Sequence, residues 1–361
     1  MTDPAAPPRW PYVVPVAAGA VLLVASQFAI GVAVATAAAA ALVAAVTASV
    51  HHAEVIAHRV GEPFGTLVLA VAVTVIEVAL IVSVMQTGGT DKAALPRDTI
   101  FSAVMIICNG VVGLCLVVGG LHHHEQSFRI EGANAALAAI IALSALTLVL
   151  PSFTVSSPGP QYTTTQLAFA AAASLALWAL WVFVQTVRHR DYFLPPETPG
   201  DEDAHAAPPT VRRAWTSFGL LMVSLVVVVG LAKTLSPTIE RSVDAAGAPQ
   251  AVIGVIIALL VLLPETWAAI RAARANRIQT SLNLAYGSAL ASIGLTIPVV
   301  AAVSVILALP LDLGLEAKDL VLLTLTFLVS SITLVSGRTN VMSGAVHLVI
   351  FAAFLFLAFV P

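Results

Sequence analysis

The chain is 361 residues long, 59% hydrophobic and only 10% charged, with a mean hydropathy of +0.98 and a net charge of −3. An ordinary soluble domain carries about 25% charged residues, so these values exclude a soluble globular protein and point to a polytopic membrane protein with little extramembrane mass. Aromatic content of 6% without strongly alternating segments excludes an outer-membrane barrel, and no basic tract offers a nucleic-acid surface.

Taken in order, the leader MTDPAAPPRW has one Arg, one Asp and several prolines. That is a poor signal-peptide n-region, so the apolar run after it reads as a retained helix. Apolar runs bounded by charge, Gly or Pro predict eleven spans, at 11–30, 31–50, 63–86, 99–121, 134–154, 164–187, 215–235, 250–270, 279–309, 320–336 and 342–360. The second is Ala-rich, which favours close helix packing. Cys108 and Cys115, seven apart on one span, read as small apolar packing residues. The ninth span contains Pro298, which predicts a kink or tilt.

Orientation follows from Lys and Arg. With the N-terminus inside, Arg9, Arg59, Arg129, Arg188, Arg190, Arg212, Arg213, Arg271, Arg274, Arg277 and Arg338 are inner, whereas Lys92, Arg97, Arg241 and Lys318 are outer. Lys233 stands at the outer end of a span. The N-terminus is then cytoplasmic, and an odd number of spans leaves the C-terminus outside. Residues 188–214, rich in Pro, acid and Ala, form a solvated inner linker. The expected fold is an all-α polytopic membrane protein with about eleven transmembrane helices. It has an extra helix in 1–30, a first five-helix repeat in 31–187, the cytoplasmic linker in 188–214, and a second, inverted five-helix repeat in 215–361.

Two acids fall well inside spans. Glu77 lies in the third, GEPFGTLVLAVAVTVIEVALIVSVM from Gly61, and Glu265 in the eighth. A carboxylate at bilayer depth costs about 2.5–3.5 kcal/mol on insertion scales, so a span that keeps one normally uses it. Five spans separate the two, so their helices cross in opposite directions, as in secondary transporters built from inverted repeats. Pro264 beside Glu265 lacks an N–H and frees a backbone carbonyl, a suitable neighbour for a desolvated cation. Arg271, Arg274 and Arg277 read as an inner-surface anchor. Ser288 and Ser292 share one helical face near Gly287 and Gly294, where hydroxyls serve tight packing as well as they serve ligation. The counterpart in the first half is RDTIFSAVMIICNGVVGL from Arg97. Pairing Asp98-Thr99 with Gln279-Thr280 sets Ser102 opposite Asn283, and Asn109 adds an amide at depth. Thr74, one turn before Glu77, completes the lesser ligand candidates. Eight of nine histidines (His51, His52, His58, His122, His123, His124, His189 and His205) fall in expected inner loops. The His122–His124 cluster is a candidate sensor of inner pH, set against the plain reading of solvated loop residues.

Two stretches carry a family resemblance. AEVIAHRVGEPFGTLVLAVAVTVIE keeps Glu54, Ala57, Gly61 and Glu77 at the spacing of the first repeat of the calcium/cation antiporter superfamily. LLPETWAAIRAARANRIQTSLNLAYGSALASIG resembles its second repeat, with Glu265 as the motif acid and Gly287-Ser288 as the later Gly-Ser pair. GEPFGT, RDT, PE and NRIQTSLNLAYGSALASIGLTIPV are most similar to the bacterial calcium/proton and sodium/proton antiporter branch. The family's motif Gly and Asn are replaced by Val73 and Thr74 in the first repeat and by Val261 and Leu262 in the second. That removes two neutral oxygen ligands, and calcium prefers six to eight oxygens.

The resemblance implies an inner-membrane cation/proton antiporter working by alternating access. Calcium is favoured as its cation, mainly sodium or potassium is the alternative, and Glu77 and Glu265 form one central ion-binding and proton-coupling site. Its partners are the lipid bilayer, inorganic cations and protons; no cofactor is expected beyond the transported ions. An intramembrane protease or prenyltransferase would need a Gly-x-Gly-Asp motif or an Asp-rich diphosphate clamp, and neither occurs. The charge count gives a direct test. Cysteines placed at Thr198 and at the C-terminus are expected to react with an impermeant reagent from opposite sides, and reaction from one side would overturn the topology.

Overall fold

A computed structural model describes residues 9–27, 31–61, 64–88, 92–194 and 209–360. The leader through Pro8, Glu62 and Pro63 of the GEPFGT stretch, the centre of the linker with Thr198 and His205, and Pro361 lie outside the described residues. The described chain is helical almost throughout. Its helices are α1 (Trp10–Gln27), α2 (Val32–Val60), α3 (Phe64–Gly88), α4 (Leu95–Met105), α5 (Val112–His123), α6 (Ile130–Ser144) and α7 (Thr164–Phe183), followed by α8 (Val211–Ala245), α9 (Ala251–Arg274), α10 (Ile278–Leu307), α11 (Ala317–Val335) and α12 (Val341–Phe359). A π-helical turn, Ile106–Val111, joins α4 and α5 into one rod. Among the described residues ten spans are long and apolar enough to cross a bilayer, and α3 adds the apolar stretch Val71–Gln86. Large apolar side chains such as Val226, Trp267, Ile306 and Val349 stay exposed, as lipid-facing surface requires.

Several helices outrun their expected spans. α2 does not stop at residue 50: with no Gly or Pro before Gly61, it continues through His51, His52 and His58 and ends where Gly61 adopts φ 75°. All three histidines are therefore helical rather than loop residues, as are His122 and His123 in the last turn of α5, and His52 is buried. α8 begins four residues early and runs ten residues past 235, through Pro237. Local chemistry sets the other ends. Thr163 and Gln166 form a reciprocal capping box on α7, and Asn340 accepts from the backbone N–H groups of Met342 and Ser343 at the start of α12.

The helices form two compact units, each drawing segments from both sides of the linker. The first unit comprises α1, α2, α3 to Val84 and α8 to Ile239. α2 buries Ala38, Ala45, Ala48 and Ala53, and Ala53 packs with Ala72 and Leu221. His52 bonds the Pro11 carbonyl (2.9 Å), tying α1 to α2. The second unit holds the remaining helices. There β1 (Gln126–Ser127) pairs antiparallel with β2 (Arg338–Thr339), joining the α5–α6 and α11–α12 corners. At the other end of this unit, Arg97 donates to the Gly314 carbonyl (3.0 Å), and the Asp312 N–H donates to Ala93 (2.9 Å).

Both cysteines are free and buried. Their packing seams are close. At Gly254 of α9, a Cβ would meet the backbone of Asp98 and Thr99 at 2.8 Å. Gly254→Ala is therefore expected to destabilise the protein by about 1–3 kcal/mol through overpacking against main chain. Gly219→Ala places its Cβ in open space and is expected to be neutral or to gain up to about 1 kcal/mol of helix propensity. Thermal melts of the two variants test this, and equal midpoints would remove the α4–α9 contact as a constraint.

Candidate functional site

Glu77 and Thr74 belong to the first unit. Three residues apart on α3, they share a face, and both are buried, Glu77 to 2% exposure. Around them α3 presents buried Val73, Ile76, Leu80 and Ile81. The acid is thus set in an apolar stretch of helix whose nearest polar neighbour in register is a threonine.

Glu265, Ser288 and Ser292 belong to the second unit, on the hairpin of α9 and α10. Ser281 donates to the Ala269 carbonyl (2.7 Å), which fixes how the two helices pair. Four residues back along α9 from Ala269 is Glu265, on the same face; four residues forward along α10 from Ser281 is Ala285. The antiparallel pairing therefore brings Glu265 level with Ala285, within a turn of Ser288. Ser288 and Ser292 continue the stripe that Ser281 begins. Pro264 stands inside α9 and, lacking an N–H, leaves the Leu260 carbonyl without its usual donor. Thr266 turns its hydroxyl back on the Leu262 carbonyl (2.7 Å). Val261 and Leu262, the replacements for the family's motif Gly and Asn, are both buried.

Gly287 and Gly294 lie on another face of α10, against α7. A Cβ at Gly294 would meet Trp178 Cβ at 2.6 Å, and one at Gly287 would meet the Trp181 ring at 3.3 Å. These glycines are helix seats, which separates them from the serine stripe.

The rest of the specific-looking stretch serves the α9–α10 corner. Asn276 adopts φ 60° there and accepts from Gln126 (2.9 Å). Gln279 accepts from the Arg129 N–H (2.7 Å) and donates to Asn283 (3.0 Å), which donates to the Phe193 carbonyl (2.6 Å). The amides of NRIQTSLN thus hold α10 to α6 and to the turn after α7.

Ser102 is buried on α4 and lines a small cavity with Asp98, Lys318 and Asp319. Asp98 and Asp319 sit in the first turns of α4 and α11, inside helices, whereas the expected spans begin one residue later, at 99 and 320. Acids in a first turn complement the helix dipole, so the apolar run alone mis-sets the boundary. Asp98 also takes a hydrogen bond from Arg97 (2.8 Å). Asn109 is fully buried, with its amide donating to Thr326 (2.8 Å) and its oxygen facing His347 (3.2 Å). His347, unmarked by the sequence reading, stands alone in an apolar run, and that isolation was its only signal. In the histidine cluster, His122 bonds the Val118 carbonyl (2.8 Å) and His123 bonds the Arg274 carbonyl (2.9 Å) at the C-terminus of α9.

Residues 28–187 and 216–360 match the sequence profile of the family described as sodium/calcium exchanger protein. The chain is 51% identical over 321 residues to the putative ionic transporter y4hA of Sinorhizobium fredii, covering 88% of this chain and 86% of that one. It is 34% identical over 312 residues to the sodium-potassium/proton antiporter ChaA of Escherichia coli, covering 86% and 84%. Among solved structures, native YfkE matches with a TM-score of 0.75 at 19% identity, covering 97% of this chain and 100% of that one, a likeness of fold.

His123 touches the end of the helix that carries Glu265. Replacing His122, His123 and His124 with Gln is therefore expected to shift the pH dependence of transport without abolishing it. An unchanged profile in vesicles buffered across the histidine range would leave the three as plain corner residues.

Proposed function

The chain belongs to the sodium/calcium exchanger protein family, and on that premise we propose that it exchanges a monovalent cation, sodium or potassium, for protons by alternating access, with calcium as a lesser substrate. The family is one of antiporters, so the intramembrane-enzyme alternative falls. We place the exchange at Glu77 and Glu265, with the N-terminus cytoplasmic, the C-terminus outside and the protein in the inner membrane.

The observation that carries this reading is an acid on the apolar helix α3 and another on α9, where buried Val261 and Leu262 hold the positions of the family's motif Gly and Asn. Glu77 has Thr74 on its face, and Glu265 has Ser288 within a turn of its level on α10 and the Leu260 carbonyl released by Pro264. An ionised carboxylate at depth is strongly disfavoured, so each is neutralised either by a proton or by a cation. Loading one ion displaces the other, which yields exchange rather than leak. Sequence resemblance puts calcium first. Against it, Val261 and Leu262 supply no side-chain oxygen, and calcium takes six to eight. The name of the 34%-identical relative, a sodium-potassium/proton antiporter, points the same way. The family's description keeps calcium as the second reading.

Proteoliposomes with an imposed pH gradient and an internal pH dye test this. Sodium and potassium are expected to dissipate the gradient more strongly than calcium, and a response to calcium alone would reverse the order. Glu77→Gln and Glu265→Gln each mimic a permanently protonated acid and are expected to abolish the response while the protein stays folded and inserted. Near-parent exchange by either variant would remove that acid from the mechanism.

A further inference from the structure

The second unit contains one polar chain that the exchange reading does not use. Asn109, Thr326 and His347 are each fully buried at 0% exposure, and Thr333 is partly buried. Thr326 donates to the Leu322 carbonyl one turn back (2.7 Å), so its oxygen accepts from the Asn109 Nδ2 (2.8 Å). The Asn109 Oδ1 is then the atom facing His347 Nδ1 at 3.2 Å, and since an amide oxygen only accepts, Nδ1 carries the hydrogen. In the neutral ring Nε2 is left to accept from the Thr333 hydroxyl at 3.1 Å. Every donor in this chain points one way, from Thr333 through His347 and Asn109 to Thr326. These groups bond one another in series from α11 through α12 to the π turn, so the chain acts as a tie between helices.

What it ties is a backbone irregularity. Asn109 sits in the π turn Ile106–Val111, where the wider turn breaks the helical register between α4 and α5. Before the turn, the backbone of Asp98 and Thr99 lies against Gly254 of α9. After it, α5 packs on α9 as well. Both halves of the rod therefore bear on the helix that carries Glu265, and the turn between them sets how each half faces it. α12 reaches Asn109 because it lies close to α5: a Cβ at Gly113 would meet His347 Cβ at 3.0 Å, and one at Gly344 would meet the Gly113 carbonyl at 2.7 Å.

We propose that His347 is a positioning residue for exchange: its Nδ1–H bond to Asn109 holds the π turn of the α4–α5 rod and thereby the placement of α9 and Glu265. The proposal rests on the assignment of exchange to Glu265. It predicts an atom-specific result. In His347→Asn the amide nitrogen takes the place of Nδ1 and keeps the donor to Asn109. In His347→Gln the amide reaches the position of Nε2, keeps Thr333, and withdraws the donor from Asn109. Apparent KM for sodium and Vmax are measured in proteoliposomes and normalised to folded, inserted protein. His347→Gln is expected to raise KM about tenfold with Vmax little changed, whereas His347→Asn stays within about twofold of the parent. Thr326→Val, which removes the acceptor on the far side of Asn109 at nearly constant shape, is expected to match His347→Gln, and it decides the matter should His347→Gln not fold. Parent-like KM in the folded variants, or equal KM shifts in His347→Asn and His347→Gln, would overturn the positioning role. Glu265→Gln is run beside them. If it is inactive while KM is unmoved in the others, only the positioning role is lost; if it is active, both assignments fall.

Discussion

Inside a bilayer no water answers a stray N–H, carbonyl or hydroxyl, so the protein must answer each one itself. This requirement decides where the helices touch and where they break. Most hydroxyls are spent locally: Thr99, Thr147, Thr266 and Thr326 each donate to the carbonyl four residues back. Longer polar side chains are spent at corners, as Gln126, Gln279 and Asn283 are around the α9–α10 turn. Where helices meet deep in the second unit, they meet through glycines, with Gly254 against α4 and Gly294 against α7. The two acids of α3 and α9 stand apart from these as carboxylates within apolar helices.

The same requirement explains how far the fold could be read from sequence. Span number and helical class follow from apolar run length, because a backbone in hydrocarbon has no alternative to helix. Span ends do not follow. α2 and α8 outrun their apolar segments because helix continues until something stops it, and neither a His-Arg stretch nor Pro237 did. Asp98 and Asp319 fall outside the apolar runs for the opposite reason: an acid reads as a boundary, yet in a first helical turn it is stabilised by the free N–H groups.

The candidate site was legible in its charges and illegible in its neutral groups. A carboxylate in an apolar run is costly wherever the chain folds, so Glu77 and Glu265 stand out without coordinates. An amide or hydroxyl is cheap enough to serve packing, and only geometry separates the uses. Ser288 and Ser292 fall on the stripe that Ser281 aligns with α9. Asn109 has its oxygen toward His347 and its nitrogen on Thr326. Sequence spacing treats all three alike, and two partners of Asn109, Thr326 and His347, lie more than two hundred residues away and leave no local trace.

The side chains at the motif positions bear on the ion as well. A divalent cation needs two negative charges at once and a shell of six to eight oxygens, and it resists giving up water for fewer. A monovalent ion asks less: one carboxylate neutralises it, and a hydroxyl with a freed carbonyl supplies much of what remains. On the proposed reading Ser288, within a turn of Glu265 on α10, and the Leu260 carbonyl released by Pro264 are such donors. The positions where the family pattern places Gly and Asn hold Val261 and Leu262, buried and unable to donate an oxygen. A proton competes with a monovalent ion for one carboxylate on equal terms of charge, so either one leaves the helix neutral when bound. That equality is the condition under which an acid on an apolar helix can alternate between two cargoes without ever standing empty and ionised.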